Sequence, residues 1–366
     1  MIPLYSILVD IIGSRSPLFD SCRFLSILSI LVDSLSPPLM IAVIILNWNG
    51  AKLLREFLPH VLANTDKELA RVIVADNGST DASIEVLRDD FPEVEVMRFP
   101  ENYGFADGYN RAIAAIDDEY AILLNSDVAP APGWIGPLWE YMKTHPHCAA
   151  CQPKLLSYRE PDKFEYAGAC GGFLDKNGYP YCRGRIFDTC ETDQGQYDTA
   201  MDVFWASGAA LMVRTQAYRD AGGLDPKFFA HMEEIDLCWR MQLQGWTVAA
   251  VPQSAIYHLG GGSLPASNPR KTYLNFRNNL LMMHKNLPDS VRGRRLFVRR
   301  LLDTAAWAKF MVTFDFKNAN AILRAHRHFA KMRKNYNTHP EAMLLPEQPN
   351  ILLEYYLRAK KRYSQL

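Results

Sequence analysis

The chain has 366 residues, 48% apolar and 22% charged, which suits a globular protein with ample core and excludes disordered, collagen-like and coiled-coil readings. Its 40 basic side chains match its 40 acidic ones, which disfavours a generally basic nucleic-acid binder. The balance is uneven: residues 289–366 hold 16 basic and 6 acidic residues, net +10, against −10 before them, so an acidic catalytic body precedes a basic part suited to an anionic surface.

Residues 1–39 read as a non-native upstream extension or a loose arm. Phe24 to Val32 is apolar, but Asp33 and Pro37-Pro38 end it, and it lacks the basic start and cleavage site of a signal peptide. No apolar run approaches the ~18 residues needed to span a bilayer. Met40 stands directly before the first strong strand, Ile41 to Leu46, whose unbroken apolar run marks burial on both faces. A helix over Ala51 to Leu62 follows, then a strand at Arg71 to Ala75 and a helix over Asp81 to Asp90 with Ser79, Thr80 or Asp81 as its cap. Strands at Val94 to Met97 and Tyr120 to Leu124 enclose a helix over Ala106 to Ile116. Such repeated β-α-β units predict a mostly parallel sheet with helices on both faces.

Beyond Gly133 the rhythm changes. A helix over Trp134 to Thr144 leads to an irregular Gly- and Tyr-rich stretch, Tyr158 to Thr199. A loop of that length in a compact domain is usually functional. Two short strands are expected within Val203 to Val213, a helix over Met232 to Gln244 and a strand at Thr247 to Val251. After Pro269 the chain becomes helical and basic. The seven cysteines are odd in number and scattered, which fits a reducing compartment. Cys148 and Cys151 are expected in or near a buried strand as small hydrophobes. Cys170, Cys182 and Cys190 are too unevenly spaced to complete a persuasive zinc site with them.

Ligands of open parallel sheets bind beyond the carboxyl ends of the strands. Three polar strand ends share that rim: Asn47-Trp48-Asn49-Gly50, Asp76-Asn77-Gly78-Ser79-Thr80-Asp81 and Asn125-Ser126-Asp127. Each alone fits ordinary turn chemistry; together they suggest a site. Neither a G-x-G-x-x-G after the first strand nor a P-loop motif is present, which disfavours a dinucleotide dehydrogenase and a P-loop ATPase. A nucleotide's diphosphate would need another neutraliser, and a cation held by Asp127 is the natural one. Glu233, Glu234 and Asp236 crowd a helix start, where the helix dipole favours negative charge.

Those rim motifs, with Asn102-Tyr103-Gly104-Phe105-Ala106 and Asn110, Gly222-Gly223-Leu224-Asp225 through Phe228-Phe229 to Glu233-Glu234-Ile235-Asp236-Leu237-Cys238-Trp239-Arg240, and Tyr257-His258-Leu259-Gly260-Gly261-Gly262-Ser263, resemble family 2 glycosyltransferases. The nearest branch is the rhamnosyltransferase-like enzymes that build bacterial surface polysaccharide, and the likeness runs from Ile41 to Leu287. It implies a GT-A, Rossmann-like fold over residues 40–288, followed by a basic helical region over 289–366. The implied reaction is inverting transfer of a sugar from a nucleoside-diphosphate donor to a hydroxyl of a saccharide acceptor. Asp76 would meet the donor's base or ribose. Asn47, Asn49, Asn77, Gly104, Asn110, Asn125 and Ser126 would complete the donor side. Asp127 would hold Mg²⁺ or Mn²⁺, and because Asn125 replaces the first acid of the family's D-x-D-like motif, His258 becomes a possible second ligand. Glu234 would be the catalytic base, with Glu233 as its rival. Asp236, Arg183 and Arg185 are expected on the acceptor side. A sugar-1-phosphate nucleotidyltransferase and a non-catalytic nucleotide-sugar binding module are the alternatives. The basic tail, with apolar residues between its arginines, implies a cytoplasmic enzyme peripheral to an anionic membrane and acting on a lipid-linked acceptor.

Overall fold

The computed structural model describes residues 41–260, 268–338 and 349–366. The arm expected over residues 1–39 lies outside them. In chain order the structure runs β1 (Ile41–Asn47), α1 (Ala51–Asn64), β2 (Ala70–Asn77), α2 (Ser83–Asp90), β3 (Glu95–Phe99), α3 (Gly104–Ala114), β4 (Tyr120–Leu124), β5 (Val128–Pro130), α4 (Ile135–Thr144) and β6 (Cys148–Ser157). Four short strands follow, β7 (Gly172–Leu174), β8 (Pro180–Cys182), β9 (Arg185–Ile186) and β10 (Thr189–Cys190). Then come β11 (Met201–Asp202), β12 (Ala210–Arg214), α5 (Thr215–Asp220), α6 (Glu233–Leu243), β13 (Thr247–His258), α7 (Pro269–Asn286), α8 (Asp289–Val312) and α9 (Phe316–Met332).

The main sheet has the order β11-β13-β6-β12-β4-β1-β2-β3, with β5 paired to β13. It is mostly parallel through β1–β2, β1–β4, β2–β3 and β6–β13, while β12 runs antiparallel between β4 and β6. Pairing on both sides explains the apolar run of β1, whose Ile41 to Ile44 are fully buried. Each large aliphatic buried there contributes about 1.5–3 kcal/mol of transfer free energy. One face of the sheet packs against Leu54, Leu58, Val61, Val86, Leu138 and Met142, and the other against Tyr109, Ile113, Trp239, Leu280 and Phe329. None of the expected residues is the N-cap of α2: Ala82 holds that position without a side-chain cap bond, and Asp81, one residue earlier, accepts the Ser83 N–H on its Oδ1 at 3.0 Å. Cys148 and Cys151 are buried in β6.

Three expectations are revised. Tyr158 to Thr199 is not an irregular loop but carries the four-stranded antiparallel sheet β10-β9-β8-β7; strands of two or three residues are too short for alternation to be read. Between β11 and β12 the chain leaves the main sheet, because Trp205 bridges Gly172 and its indole N–H donates to Phe173 O at 3.0 Å. β13 continues past Pro252 to His258, a register shift between Val251 and Ala255 absorbing the proline. The helices after position 288 belong with the rest, all described residues falling in one compact unit. α7 and α9 pack together, and the last residues lie on the small sheet, where Asp175 Oδ2 accepts Ile351 N–H and Thr189 Oγ1 meets Tyr355 OH at 2.7 Å. Among the described residues no helix is long and apolar enough to cross a membrane.

Candidate active site

Parallel register sets the first part of the rim. Asn47 at the end of β1 pairs with Asp76 at the end of β2. The Asn47 amide donates to Asp76 Oδ1 at 3.0 Å and to Ser79 Oγ at 3.2 Å, and Asp76 Oδ2 accepts the Ser79 N–H at 3.1 Å. Asn49, at φ 51°, accepts the Thr80 N–H on its Oδ1 at 2.7 Å, which ties the two loops together. Gly78 makes this turn possible: its φ is 71°, and a Cβ there would stand 2.6 Å from the Glu101 backbone. Trp48 projects from the same loop and is 56% exposed.

Asp127 lies beyond β4, and β13 brings His258 to it. His258 pairs with Val128 across the antiparallel β5–β13 contact, and Leu259 N–H donates to Asp127 O at 3.0 Å. His258 Nε2 is thereby 3.1 Å from Asp127 Oδ1 and 3.4 Å from Asn125 Nδ2. On the other side of the ring, Nδ1 lies 3.3 Å from Glu165 Oε2, a buried carboxylate that sequence reasoning missed. Burial works against a proton on this imidazole, but the hydrogen bond to Asp127 and the charges of Glu165 and Asp127 outweigh it and push the His258 pKa up to about 10. Burial would likewise raise Asp127, yet the hydrogen bond and charge of His258 hold it below its ordinary value. No group of three or more His, Cys, Asp or Glu side chains gathers to hold a metal ion among the described residues. Asp127 fits a divalent cation whose remaining ligands are substrate oxygens and water, one carboxylate being an ordinary protein share for Mg²⁺ or Mn²⁺; His258 joins it as a ligand only by giving up the proton that it holds against Asp127.

The catalytic candidates start α6. Asn125 N–H donates to Ala209 O at 3.0 Å, and a Cβ on the neighbouring Gly208 would lie 3.6 Å from Glu234 Cβ. Glu234 thus stands over the strand next to Asn125, on the rim that carries Asp127. Burial pushes the Glu234 carboxyl up to about 7, against the pull of nearby backbone N–H groups at the helix start. Burial and the neighbouring Glu234 drive Glu233 well above the usual carboxylate range. Glu233 is 5% exposed, and Oε2 of both residues has no hydrogen-bond partner. The approach to α6 is strained, since Phe229, His231 and Met232 have φ of 68°, 69° and 74°. Asn278 of α7 holds it: its Nδ2 faces Phe228 O, Ala230 O and His231 O at 3.0, 2.8 and 2.7 Å.

Several of the residues expected at the site make internal hydrogen bonds. Asn77 donates to Asn102 Oδ1 and Gly104 O and accepts from Tyr103 N–H, clamping the Gly104 turn. Asn110 donates to Leu224 O and accepts from Leu224 N–H and Tyr218 OH; a Cβ on Gly223 would come within 2.4 Å of its Oδ1. Asp236 is fully buried, not on an acceptor face, because α7 covers α6. It receives Arg240 Nε at 2.8 Å, Lys285 Nζ at 2.9 Å and Asn286 Nδ2 at 2.8 Å. Burial would raise it, but Arg240 and Lys285 hold its pKa below the ordinary value. Arg183 is buried too, its guanidinium donating to Cys170 O, Tyr197 O and Thr199 O. Arg185 is buried against Tyr166, with Nε unpartnered. Ser126 stays half-buried at the rim beside Asn125.

Residues 42–189 match the sequence profile described as Glycosyl transferase family 2. Over 237 residues the chain is 27% identical to the N-acetylglucosaminyl-diphospho-decaprenol L-rhamnosyltransferase of Mycobacterium tuberculosis, a span of 60% of this chain and 76% of that one. Over 228 residues it is 22% identical to the rhamnosyltransferase WbbL of Escherichia coli, covering 60% of this chain and 83% of WbbL. Among solved structures, S. aureus TarS 1-349 superposes with a TM-score of 0.52 at 14% identity over 87% of each chain. GalNAc-T7 with UDP, GalNAc and Mn²⁺ superposes at 0.53 with 15% identity, over 69% of this chain and about half, 48%, of that one. At such identities the structural likeness concerns the fold.

Proposed function

Starting from a chain that is a family 2 glycosyltransferase of the rhamnosyltransferase-like branch, we propose that it transfers a sugar from a nucleoside diphosphate to a hydroxyl of a lipid-linked saccharide, inverting the anomeric carbon. The observation that carries this reading is the pairing on one rim of Asp127, backed by His258 and Glu165, with a half-buried carboxylate, Glu234, at the start of α6.

In this reading the rim formed by Asn47, Trp48 and Asp76 takes the nucleoside, with the exposed Trp48 ring offered to the base. Asp127 and His258 would hold Mg²⁺ or Mn²⁺, which supplies neutralisation of the leaving diphosphate. Glu234 accepts the proton of the attacking hydroxyl. The new C–O bond forms on the sugar face opposite the breaking bond to the diphosphate, which inverts the centre. A pKa near 7 suits this step, because the carboxylate is then basic enough to take the proton and still ionised in useful amount. The acceptor class in this reading is supported by the mycobacterial relative, whose name includes diphospho-decaprenol, and by the basic C-terminal helices, which suit an enzyme peripheral to the inner face of the membrane.

The test is a screen of UDP-, GDP- and dTDP-sugars against short-chain polyprenyl-diphosphate saccharides. Nucleoside diphosphate release should depend on acceptor, and the product should carry the inverted linkage by NMR. Chelation by EDTA should stop transfer, and added Mn²⁺ or Mg²⁺ should restore it. Release that ignores the acceptor, or a retained linkage, would overturn the reading; full activity in EDTA would remove the metal from it.

A further inference from the structure

Arg185 is 5% exposed, yet no carboxylate forms an ion pair with it among the described residues. Its Nη2 donates to Cys182 Sγ at 3.0 Å, a weak acceptor, and its Nε has no partner. The other buried arginines are engaged: Arg183 and Arg277 by backbone carbonyls, Arg240 and Arg299 by carboxylates. A charge taken out of water without a counter-charge is otherwise rare, because nothing repays its lost hydration.

The guanidinium carbon of Arg185 lies 4.8 Å from the centre of the Tyr166 ring, and Lys271 Nζ lies 5.7 Å from the same ring. Lys271 forms no ion pair among the described residues either. The ring between these cations is 47% exposed. Three links tie the cluster to the catalytic candidates. Tyr166 follows Glu165, which meets His258. Cys182, the contact of Arg185, is within electrostatic reach of both Glu165 and Glu234. Lys271 acts on His231, just before Glu233.

The transfer step described above gives Arg185 and Lys271 no role, and two unpaired cations around an exposed aromatic ring are the chemistry that receives a phosphate. We propose that Arg185 and Lys271, gathered around Tyr166, form a diphosphate-binding site, and that the diphosphate is the one linking the acceptor saccharide to its lipid. The source of the diphosphate rests on the glycosyltransferase reading; the anion site itself does not. The donor's own diphosphate is the other source of the same chemistry.

Inorganic diphosphate, titrated calorimetrically into the metal-free full chain, should bind the wild type and bind Arg185→Gln and Lys271→Met at least ~10-fold more weakly. Lys271 is only half-buried, so its variant keeps the test open if the Arg185 variant fails to fold. In steady state, both variants should raise KM for a polyprenyl-diphosphate saccharide by a similar factor. They should leave kcat within about twofold, and leave unchanged the KM for the same saccharide on an uncharged alkyl chain. Affinity for UDP, GDP and dTDP should not move. Loss of nucleoside diphosphate affinity with an unchanged acceptor KM would assign the site to the donor and overturn the acceptor source. Wild-type affinity for inorganic diphosphate in both variants would overturn the site. If the wild type transfers no sugar to any acceptor, the glycosyltransferase reading fails, and the calorimetric arm still decides the anion site.

Discussion

Glu233 and Glu234 share one buried turn and cannot both ionise cheaply, so their roles separate by environment. With Glu234 pushed up to about 7, kcat/KM should rise with pH through that value and then level, as the base loses its proton. Glu234→Gln keeps the shape without the basicity, and should lower kcat by ~10² or more with nucleoside diphosphate affinity nearly unchanged. If Glu233→Gln does this instead, the assignment within the pair is reversed. Glu233 gives a stability signature of opposite use. Its pKa is raised on folding, so the folded state binds more protons than the unfolded state above the ordinary value of 4.5, and stability falls as pH rises from there. Glu233→Gln should therefore raise Tm at pH 8 and change it little at pH 4; an equal change at both would contradict a raised pKa. The two glutamates, Asp127 and Asp76 were legible in the sequence because short polar motifs carry them. Glu165 was not: it meets His258 only through tertiary packing, and nothing in Phe164-Glu165-Tyr166 distinguishes it from a surface glutamate.

At the level of elements, α6 is buried on nearly every side, from Ile235 to Met241, because α7 lies over the face that would otherwise meet water. α7 grips the segment before α6 through Arg277 and Asn278, and α6 itself through Lys285 and Asn286. Three non-glycine residues with positive φ cost on the order of 1 kcal/mol or more each, and these hydrogen bonds hold that strain in place. Asn278 is thus a positioning residue for Glu234. Asn278→Ala should lower kcat by roughly tenfold or more and shift the pH at which activity rises, while donor affinity stays near wild type. A fall in Tm with kcat and pH profile intact would reduce α7 to a structural cover. The sequence reading expected helix after Pro269 but not this role, since two polar pairs, one in the middle and one at the end of a helix, look like a solvated face until a partner covers them.

For the whole molecule, charge is divided between an acidic body and a basic C-terminal region, net +10 over residues 289–366. The structure adds an apolar tip to the basic region: Val312, Phe314 and Phe316 at the α8–α9 turn are 77%, 79% and 56% exposed. Beside it, a cleft is lined by Arg270, Lys317 and Arg324 with Pro269, Tyr273 and Ala321, without an acidic residue. Exposed aromatics next to unpaired cations suit insertion among anionic headgroups, each nearby cation adding about 1 kcal/mol. The protein should float with anionic liposomes at low salt, less at high salt and less with neutral liposomes, and Phe314→Ser with Phe316→Ser should weaken flotation. Binding that ignores lipid charge, or a concentration-dependent dimer lost in the same double variant, would refute the membrane reading. Apolar runs and turn motifs are local signals, so the strand–helix alternation, the mostly parallel sheet and the polar rim at its carboxyl ends were legible in the chain. Packing alone revealed how His258 reaches Asp127 across 131 residues, that Glu165 stands behind it, and that Asn110, Asp236 and Arg183 bond to neighbouring protein groups. Whether a polar side chain meets a ligand or a neighbour depends on what packs over it, and strand register and helix docking set that, not the residues beside it in the chain.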